Sequence, residues 1–487
     1  MQTSELKDEK FLNKIFYSKK FGIILALLQL VLTLFFIGQT LYLNIVPARY
    51  LIPSVIILIC FEVFTFYSQL SSRYNKAGKL FAIIICILLG VGCNYLFKAQ
   101  TTLKNISGVD TKIDDVSIIV LKDDPAESID DAKDYIFGIQ EEMDRSNTDK
   151  VIDDINNKLG IDMATVTYQD LDSQVEALYN NEVKAIILNE AYRETILDVY
   201  EDFDERTKVI YNNQIETTVE TKVSDKVVIS EPFNIYISGI DTYGPIKKTS
   251  RSDVNIIATI NPKTKQILLT TTPRDYYVPL VPVSGEKEDK LTHAGIYGVD
   301  VSIATLEALY DIDIDYYVRI NFTTLIDMVD TLGGITVNSK YAFNAGGFSF
   351  EKGDNELDGK AALAFSRERY SFATGDNQRG KNQMEIIKGM INKATSPAIL
   401  TNFNSIMNSI SGSFETNMSI DEITSLVKMQ INDMSPWNIE SNNVVGEGAR
   451  KTTYTYRSTP LYVAIPIESS VQEAKDMMQQ VMVVPGI

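Results

Sequence analysis

The 487 residues predict an α/β protein with three N-terminal transmembrane helices, a small α/β domain and a larger α/β/α sandwich. Three observations carry this. Three long apolar runs fill the first hundred residues. Strand-like and helix-like segments then alternate from about 110 to 225. A second alternation starts at Phe233 and turns helix-rich after Gly359. The expected boundaries are 1–20 for a tail, 21–100 for the membrane helices, 105–230 for the small domain and 232–487 for the large one.

Residues 21–43, 51–70 and 80–97 form the apolar runs. About twenty apolar residues cover the hydrocarbon thickness of a bilayer. A cleaved signal peptide would account only for the first run, and no small-residue cleavage site follows it. Within the second run Glu62 is an ionisable group where such groups are costly. The expectation is a protonated carboxyl bonded to Gln29, Gln39 or Asn94.

Basic residues set the orientation. Lys7, Lys10, Lys14, Lys19 and Lys20 precede the first run, and Arg73, Lys76 and Lys79 lie between the second and third, whereas the first loop holds only Arg49. The positive-inside rule places the N-terminus in the cytoplasm and everything after the third run outside. Eleven basic and 4 acidic residues lie up to Lys104, against 35 basic and 60 acidic beyond it. So acidic an outer part excludes nucleic-acid binding, which needs a basic footprint. Cys60, Cys86 and Cys93 all fall in the apolar runs, so the outer part has no disulfides. That suits the outer face of a wall-bearing, Gram-positive-type bacterium.

In the small domain, residues 116–121, 164–168 and 183–188 read as strands, with another near Val209. Residues 149–159, 171–179 and 194–203 have helical spacing. This order implies a partly parallel sheet. Nothing in it has the spacing of a phosphate loop or a metal site. Residues 215–231 form a polar junction.

In the large domain, 233–240, 254–260 and 267–272 read as strands, with a turn at Asn261-Pro262. Helical 301–310, strand 317–320, helix 325–332 and a short strand 334–337 follow. Helices 361–368, 378–393 and 420–434 come next, the last with Ser419 as cap. Strand 461–465 and helix 470–481 close the order.

Candidate functional residues cluster at strand ends of the large domain. Asp241 follows the first strand, Arg251-Ser252-Asp253 leads into the second, and Thr272-Pro273-Arg274-Asp275 ends the third. Arg367, Arg369, Arg379 and Lys381 crowd one stretch of an otherwise acidic region, and the forked guanidinium suits phosphate oxygens. Arg251 and Asp253 point the same way on an extended segment. Arg367 and Arg369 diverge by about 200° on a helix, so their pairing needs a break near Tyr370. Arg379 and Gln383 share a helix face at i, i+4, which excludes Lys381 from the set. Gly375-Asp376 marks a helix start that favours a nearby anion. Asp241 and Asp376 could equally be caps, and Arg251–Asp253 and Arg367–Asp376 plain surface ion pairs. His293, the single histidine, reads as structural, and Gly333-Gly334 and Gly346-Gly347 read as turns.

Taken together, Asp241-Thr242-Tyr243-Gly244, Arg251-Ser252-Asp253, Thr272-Pro273-Arg274-Asp275, Phe365-Ser366-Arg367-Glu368-Arg369-Tyr370 and 375–383 resemble the LytR–CpsA–Psr family of extracytoplasmic glycopolymer transferases. The capsule-type, CpsA-like branch shares the three spans and an accessory domain ahead of the catalytic one. The resemblance implies an extracellular catalytic domain that transfers glycan-1-phosphate, capsular polysaccharide here, from a polyprenyl-pyrophosphate carrier to peptidoglycan. It implies Mg²⁺, with Mn²⁺ as the alternative ion, on Asp241 and Asp253. Arg274, Arg367, Arg369, Arg379 and Gln383 would bind phosphate, Arg251, Asp253 and Arg274 would serve catalysis, and Asp376 would assist. Arg251 is expected to position Asp253, and an apolar groove from 301–310 and 325–332 to take the lipid. Implied partners are the lipid-linked glycan, peptidoglycan, the bilayer and capsule-assembly membrane proteins. The alternatives are a non-catalytic membrane regulator of capsule polymerisation that binds lipid-linked glycan, and a lipid-pyrophosphate hydrolase.

Overall fold

The computed structural model describes residues 18–71, 73–106, 111–218, 224–241, 246–372, 375–397 and 414–483. The chain divides into two compact units.

The first unit holds helices α1 (Lys19–Leu43), α2 (Ala48–Leu70) and α3 (Asn75–Ile106). All three are long and apolar enough to cross a membrane. In hydrocarbon a polar side chain must find a partner within the protein. Thr65 Oγ1 accordingly donates to Gln29 Oε1 at 2.9 Å. Glu62 meets the same Gln29, as its sequence context predicts. Helix Ile420–Asp433 belongs to this unit, far away in sequence. Its N-terminus is fixed by a capping box between Ser419 and Glu422, which satisfies two otherwise orphaned amides. Lys428 Nζ reaches Asn44 Oδ1 at 2.6 Å, and Arg49 Nη2 donates to the Ile431 carbonyl at 3.2 Å. The loop between α1 and α2 is thereby tied to this helix.

Among the described residues the second unit holds four two-stranded sheets and is built around two large ones. The smaller has the order β3-β2-β4-β1-β5, with β1 Thr111–Leu121, β2 Ile136–Gln140, β3 Ala164–Tyr168, β4 Ala185–Asn189 and β5 Thr207–Thr218. The pairs β2–β3 and β2–β4 are parallel, while β1 runs antiparallel to β4 and β5. Successive strand residues face opposite sides, so adjacent Ile118 and Ile119 enter different cores. Ile118 packs with Phe137 and with Val151 and Ile155 of α4 (Arg145–Leu159). Ile119 packs with Leu171, Val175 and Leu178 of α5 (Leu171–Tyr179). Strand β2 is additional to the expected set. The helical spacing at 194–203 is split into single turns at Arg193–Leu197 and Phe203–Arg206, because Val199 and Tyr200 both bond back to the Ile196 carbonyl and the chain leaves the helix there.

The larger sheet places β6 (Phe233–Gly239), β7 (Val254–Asn261), β8 (Gln266–Thr272), β9 (Tyr316–Ile320), β10 (Glu415–Thr416) and β11 (Asn438–Asn443) in the order β10-β9-β6-β7-β8-β11. The pairs β6–β9 and β8–β11 are parallel. On one face Tyr236, Ile257 and Leu268 pack against Leu306 and Tyr310 of α6 (Val299–Tyr310). Residues Val471, Ala474 and Met478 of the C-terminal helix Glu468–Met482 complete that layer. On the other, Ile256, Ala258 and Leu269 meet Met384, Ile387 and Ile391 of the long helix Asp376–Ala394. The result is the α/β/α sandwich that the sequence predicts. Each fully buried aliphatic or aromatic side chain contributes about 1.5–3 kcal/mol by leaving water.

A separate hairpin, Gly446–Lys451 paired with Leu461–Pro466, joins the two large sheets. Tyr454, Tyr456 and Leu461 enter the α5 core of the smaller sheet. Around them Arg457 Nη2 reaches Glu142 Oε2 at 2.7 Å, Ser458 Oγ donates to Asp170 at 3.0 Å, and Thr459 N donates to Asp172 at 2.9 Å.

Candidate active site

A cavity of about 900 Å³ opens on the Asp376–Ala394 side of the larger sheet. Parallel strands β6 and β9 both end at it, and chain crossing at strand carboxyl ends is a common place for ligands in α/β sheets. Helices α7 (Phe322–Thr331), α8 (Gly359–Arg367) and α9 (Asp376–Ala394) form its other walls.

Its lining is part polar and part apolar. Arg251, Arg274, Lys360, Arg367, Arg369 and Arg379 line it together with Glu194, Asp198, Asp241, Asp253 and Glu368. Six cations against five carboxylates leave the lining close to neutral. The cavity is therefore no simple anion trap, and individual pairings decide what it binds. Ile237, Val254, Ile320, Phe322, Leu325, Ile326, Leu363, Ile386 and Ile387 supply the apolar wall.

The stretch Arg251-Ser252-Asp253 is held rigidly. Ser252 Oγ lies 2.8 Å from Tyr236 OH and 2.7 Å from Ser238 Oγ, while Asn255 Nδ2 donates to the Ser252 carbonyl at 3.0 Å. Backbone bonds tie Asp253 N to Gly239 O at 2.9 Å and Ser252 N to Thr292 O at 3.0 Å. Gly295 permits this approach, since a Cβ there would sit 2.6 Å from Ser252 N.

Asp253 Oδ1 accepts from Arg274 Nη1 at 3.0 Å and from Thr292 Oγ1 at 2.9 Å. Burial pushes its pKa up, but Arg274, Arg251 and the Thr292 hydroxyl outweigh burial and hold the carboxyl below the ordinary aspartate range. Arg274 is also 3.7 Å from Asp275, which Lys290 pairs at 3.1 Å. Asp241 lies 3.6 Å from Arg367 Nη2. Desolvation raises its pKa, only partly offset by Arg367, with Asp253 adding to the rise. The Arg367 guanidinium rests over the Phe322 ring, 4.3 Å from its centroid, a cation–π contact that fixes its plane.

Helix α8 ends at Arg367, and Glu368 is already extended. The break that lets Arg367 and Arg369 face one cavity thus comes two residues before Tyr370. Arg369 Nη2 donates to Tyr370 OH at 2.6 Å. Arg379 and Gln383 both line the cavity from one face of α9, and Gln383 Nε2 contacts the Ser366 carbonyl at 3.4 Å. Helix α9 starts at Asp376, whose side chain lies outside the described residues, as do 242–245 after Asp241. Lys381 is not among the lining residues. His293 is buried with Nδ1 2.7 Å from Asp289, as a structural histidine should be.

Two expectations are corrected. Arg251 does not hold Asp253: its Nη1 pairs with Asp198 at 2.8 Å, and Arg274 takes the Asp253 carboxylate. Helix α6 does not line the cavity, because its apolar face is consumed in the core on the opposite side of the sheet. Of the expected groove only the α7 part is present, with Leu325 and Ile326 joined by Phe322 and by Ile386 and Ile387 of α9. Sequence reasoning also missed Glu194, Asp198, Thr292, Phe322 and Lys360. Thr292 adjoins the singled-out His293, but no local pattern marks Asp198.

Among the described residues no three His, Cys, Asp or Glu side chains gather as a metal cage. Asp241 and Asp253 nevertheless line one cavity, and the charge of Asp253 raises the pKa of Asp241. Two carboxylates with open positions fit Mg²⁺, which takes few protein ligands and keeps water or phosphate oxygens.

Fold and cavity define an α/β/α protein with three apolar N-terminal helices and an arginine-lined cleft. The chain belongs to the LytR_cpsA_psr family, which it matches over residues 194–464. Among its relatives, the polyisoprenyl-teichoic acid–peptidoglycan teichoic acid transferase TagU of Bacillus licheniformis is 38% identical over 194 residues, 40% of this chain and 62% of TagU. TagU of Bacillus subtilis is 34% identical over 240 residues, 48% of this chain and 72% of its own. TagU of Enterococcus faecalis is 37% identical over 211 residues, covering 42% and 69%. The crystal structure of B. subtilis TagU aligns over 53% of this chain and 100% of that chain at 29% identity, with a TM-score of 0.42.

Proposed function

We propose that this chain is a phosphotransferase that moves glycan-1-phosphate from a polyprenyl-pyrophosphate carrier to peptidoglycan, with capsular polysaccharide as the glycan. The observation that carries the reading is one cavity lined both by arginines and by the apolar side chains of Phe322, Leu325, Ile326, Ile386 and Ile387. That polarity matches a ligand with a pyrophosphate head and a hydrocarbon tail. The relatives' names, teichoic acid transferases to peptidoglycan, agree with the reaction class. The three apolar helices would keep the site at the membrane that holds the carrier.

In this reaction the acceptor hydroxyl oxygen attacks the sugar-bearing phosphorus. The bond from that phosphorus to the bridging oxygen breaks, and polyprenyl monophosphate leaves. Alignment and charge neutralisation dominate such transfers. Arg274, Arg367, Arg369 and Arg379 bind the non-bridging oxygens, with Gln383 as a neutral donor. Phe322 keeps the Arg367 fork in plane for two-point contact. Asp253, ionised through its arginine neighbours, is the candidate to accept the acceptor's proton. Asp376, at the start of α9, stands as a possible helper. Asp241 and Asp253 would hold Mg²⁺ or Mn²⁺, which when bound supplies further neutralisation of the pyrophosphate.

The test is transfer of lipid-linked glycan to peptidoglycan by Arg367→Ala and Arg379→Ala proteins. Transfer should fall at least about a hundredfold while melting stays near wild type, since each removes a donor to developing charge. Undiminished transfer would reject the assignment. Release of free glycan phosphate without peptidoglycan would instead identify a hydrolase.

A further inference from the structure

We infer that Asp198, which belongs to the smaller sheet's domain, is a positioning residue of the phosphate site through its grip on Arg251. The inference rests on the proposed pyrophosphate reading of the cavity.

The other arginine pairs of the cavity are made within the larger sheet's own chain segments: Arg274 with Asp253 and Asp275, Arg367 with Asp241. Arg251 differs. Among the described residues its ion pairs are with Asp198 at 2.8 Å and Glu194 at 3.8 Å. Glu194 lies within the single turn Arg193–Leu197 and Asp198 directly follows it, and both line the cavity. The Arg251 side chain is only 10% exposed, so its position is enforced by the pocket wall.

The turn that carries these acids is anchored independently of Arg251. Tyr456 OH donates to the Thr195 carbonyl at 3.0 Å. Ile196 is fully buried in the cluster that holds Tyr456 and Leu461. Asp198 is therefore a fixed point against which Arg251 is set.

The consequence follows from the charges nearby. Arg251 is two residues from Asp253 on an extended stretch and acts electrostatically on both Asp253 and Asp241. Released from Asp198, its long side chain would fold onto those carboxylates. That would compete with Arg274 for Asp253. Held by Asp198 through Nη1, Arg251 keeps its other N–H donors for a phosphate, because a guanidinium has five. Asp198 has a second effect: it subtracts a positive charge from the cavity. Binding and reaction should therefore respond to its loss in opposite directions, which a simple folding defect cannot produce.

The experiment uses the full chain in detergent, as wild type, Asp198→Ala and Arg457→Ala. Arg457→Ala breaks another contact between the same two domains, to Glu142, away from the cavity. Inorganic pyrophosphate affinity is read by calorimetry and glycan transfer by turnover. Asp198→Ala should bind pyrophosphate about three- to tenfold tighter, from the lost negative charge. Its kcat should fall about tenfold or more, from the misplaced guanidinium. Arg457→Ala should leave both within about twofold, as a rim contact does. Weaker pyrophosphate binding by Asp198→Ala, an unchanged kcat, or equal effects from Arg457→Ala overturns the inference. Wild-type protein that binds pyrophosphate without transferring glycan removes the transferase reading, and the affinity shift alone then decides the role of Asp198.

Discussion

Arg274 Nη1 sits 3.0 Å from Asp253 Oδ1, so a cavity carboxylate only 12% exposed carries its own cation before any phosphate arrives. Thr292 shares that oxygen at 2.9 Å. Arg274→Ala would leave Asp253 with a hydroxyl alone, and removal of one partner of such a pair costs about 3–5 kcal/mol where burial is full and less where, as here, the pair is partly open. The expected outcome is a lower melting temperature together with lost transfer. Arg274→Lys should recover stability but little activity, because a point charge cannot reproduce the fork. Thermal melting and transfer assays on the two variants check this.

The proposed Mg²⁺ site rests on Asp241 and Asp253. Chelator should reduce transfer by wild-type protein, and Asp241→Ala should do so without chelator. Titration with Mg²⁺ then restores the wild type but not the variant, as expected where two carboxylates are the main protein ligands. Full activity in excess chelator would show that the arginines suffice.

Arg319 and Glu415 form a buried pair at 2.7 Å that joins β9 to β10, and Tyr317 OH adds a bond to the same carboxylate at 3.2 Å. Glu415→Ala should destabilise the larger sheet by about 3–5 kcal/mol, because it strands a buried guanidinium. Neither residue lines the cavity. Activity per folded molecule should therefore be preserved, measured below the lowered transition.

Asp144 precedes α4 in a left-handed conformation and accepts from Asn147 at 2.7 Å and Asn189 at 2.9 Å. Burial, with Asp114 adding to it against those hydrogen bonds, raises its pKa to about 6. A carboxyl with a raised folded pKa binds its proton more tightly in the native state. The native advantage is complete below the unfolded value near 4 and is lost as pH rises to about 6. Unfolding free energy should fall across that window by about 1–2 kcal/mol from this group. Asp144→Asn should flatten that part of the profile, followed through the fluorescence of Trp437.

Much of the fold was legible because its signals are local. Ala164–Tyr168 and Leu171–Tyr179 have the bounds that their periodicity predicts. The two-residue period of Ile118 and Ile119 and the 3.6-residue period of α9 are printed directly in the apolar pattern. Strand β2 was not legible. Its Ile-Phe-Gly-Ile-Gln is short and interrupted by Gly138, whose absent side chain lets Tyr168, Val183 and Ile186 close in from neighbouring segments. That advantage exists only once the neighbours are in place. The α6 groove failed for a related reason, since an apolar helix face does not state which side of a sheet it will cover.

The site divides in the same way. By itself the sequence determined the three apolar helices, the alternating α/β elements, and the set Asp241, Arg251, Asp253, Arg274, Arg367, Arg369, Arg379 and Gln383, all of which the cavity gathers. The helices and the alternation rest on composition and on spacing within one element, and the residue set rests on five motifs whose order resembles a known family. Only the tertiary structure decided which carboxylate each arginine meets. Asp253 goes to Arg274, 21 residues on, and Arg251 to Asp198, 53 residues back between two strands of the smaller sheet. Coulombic pairing depends on distance in space and on the exclusion of water, and neither is written in the local order of residues.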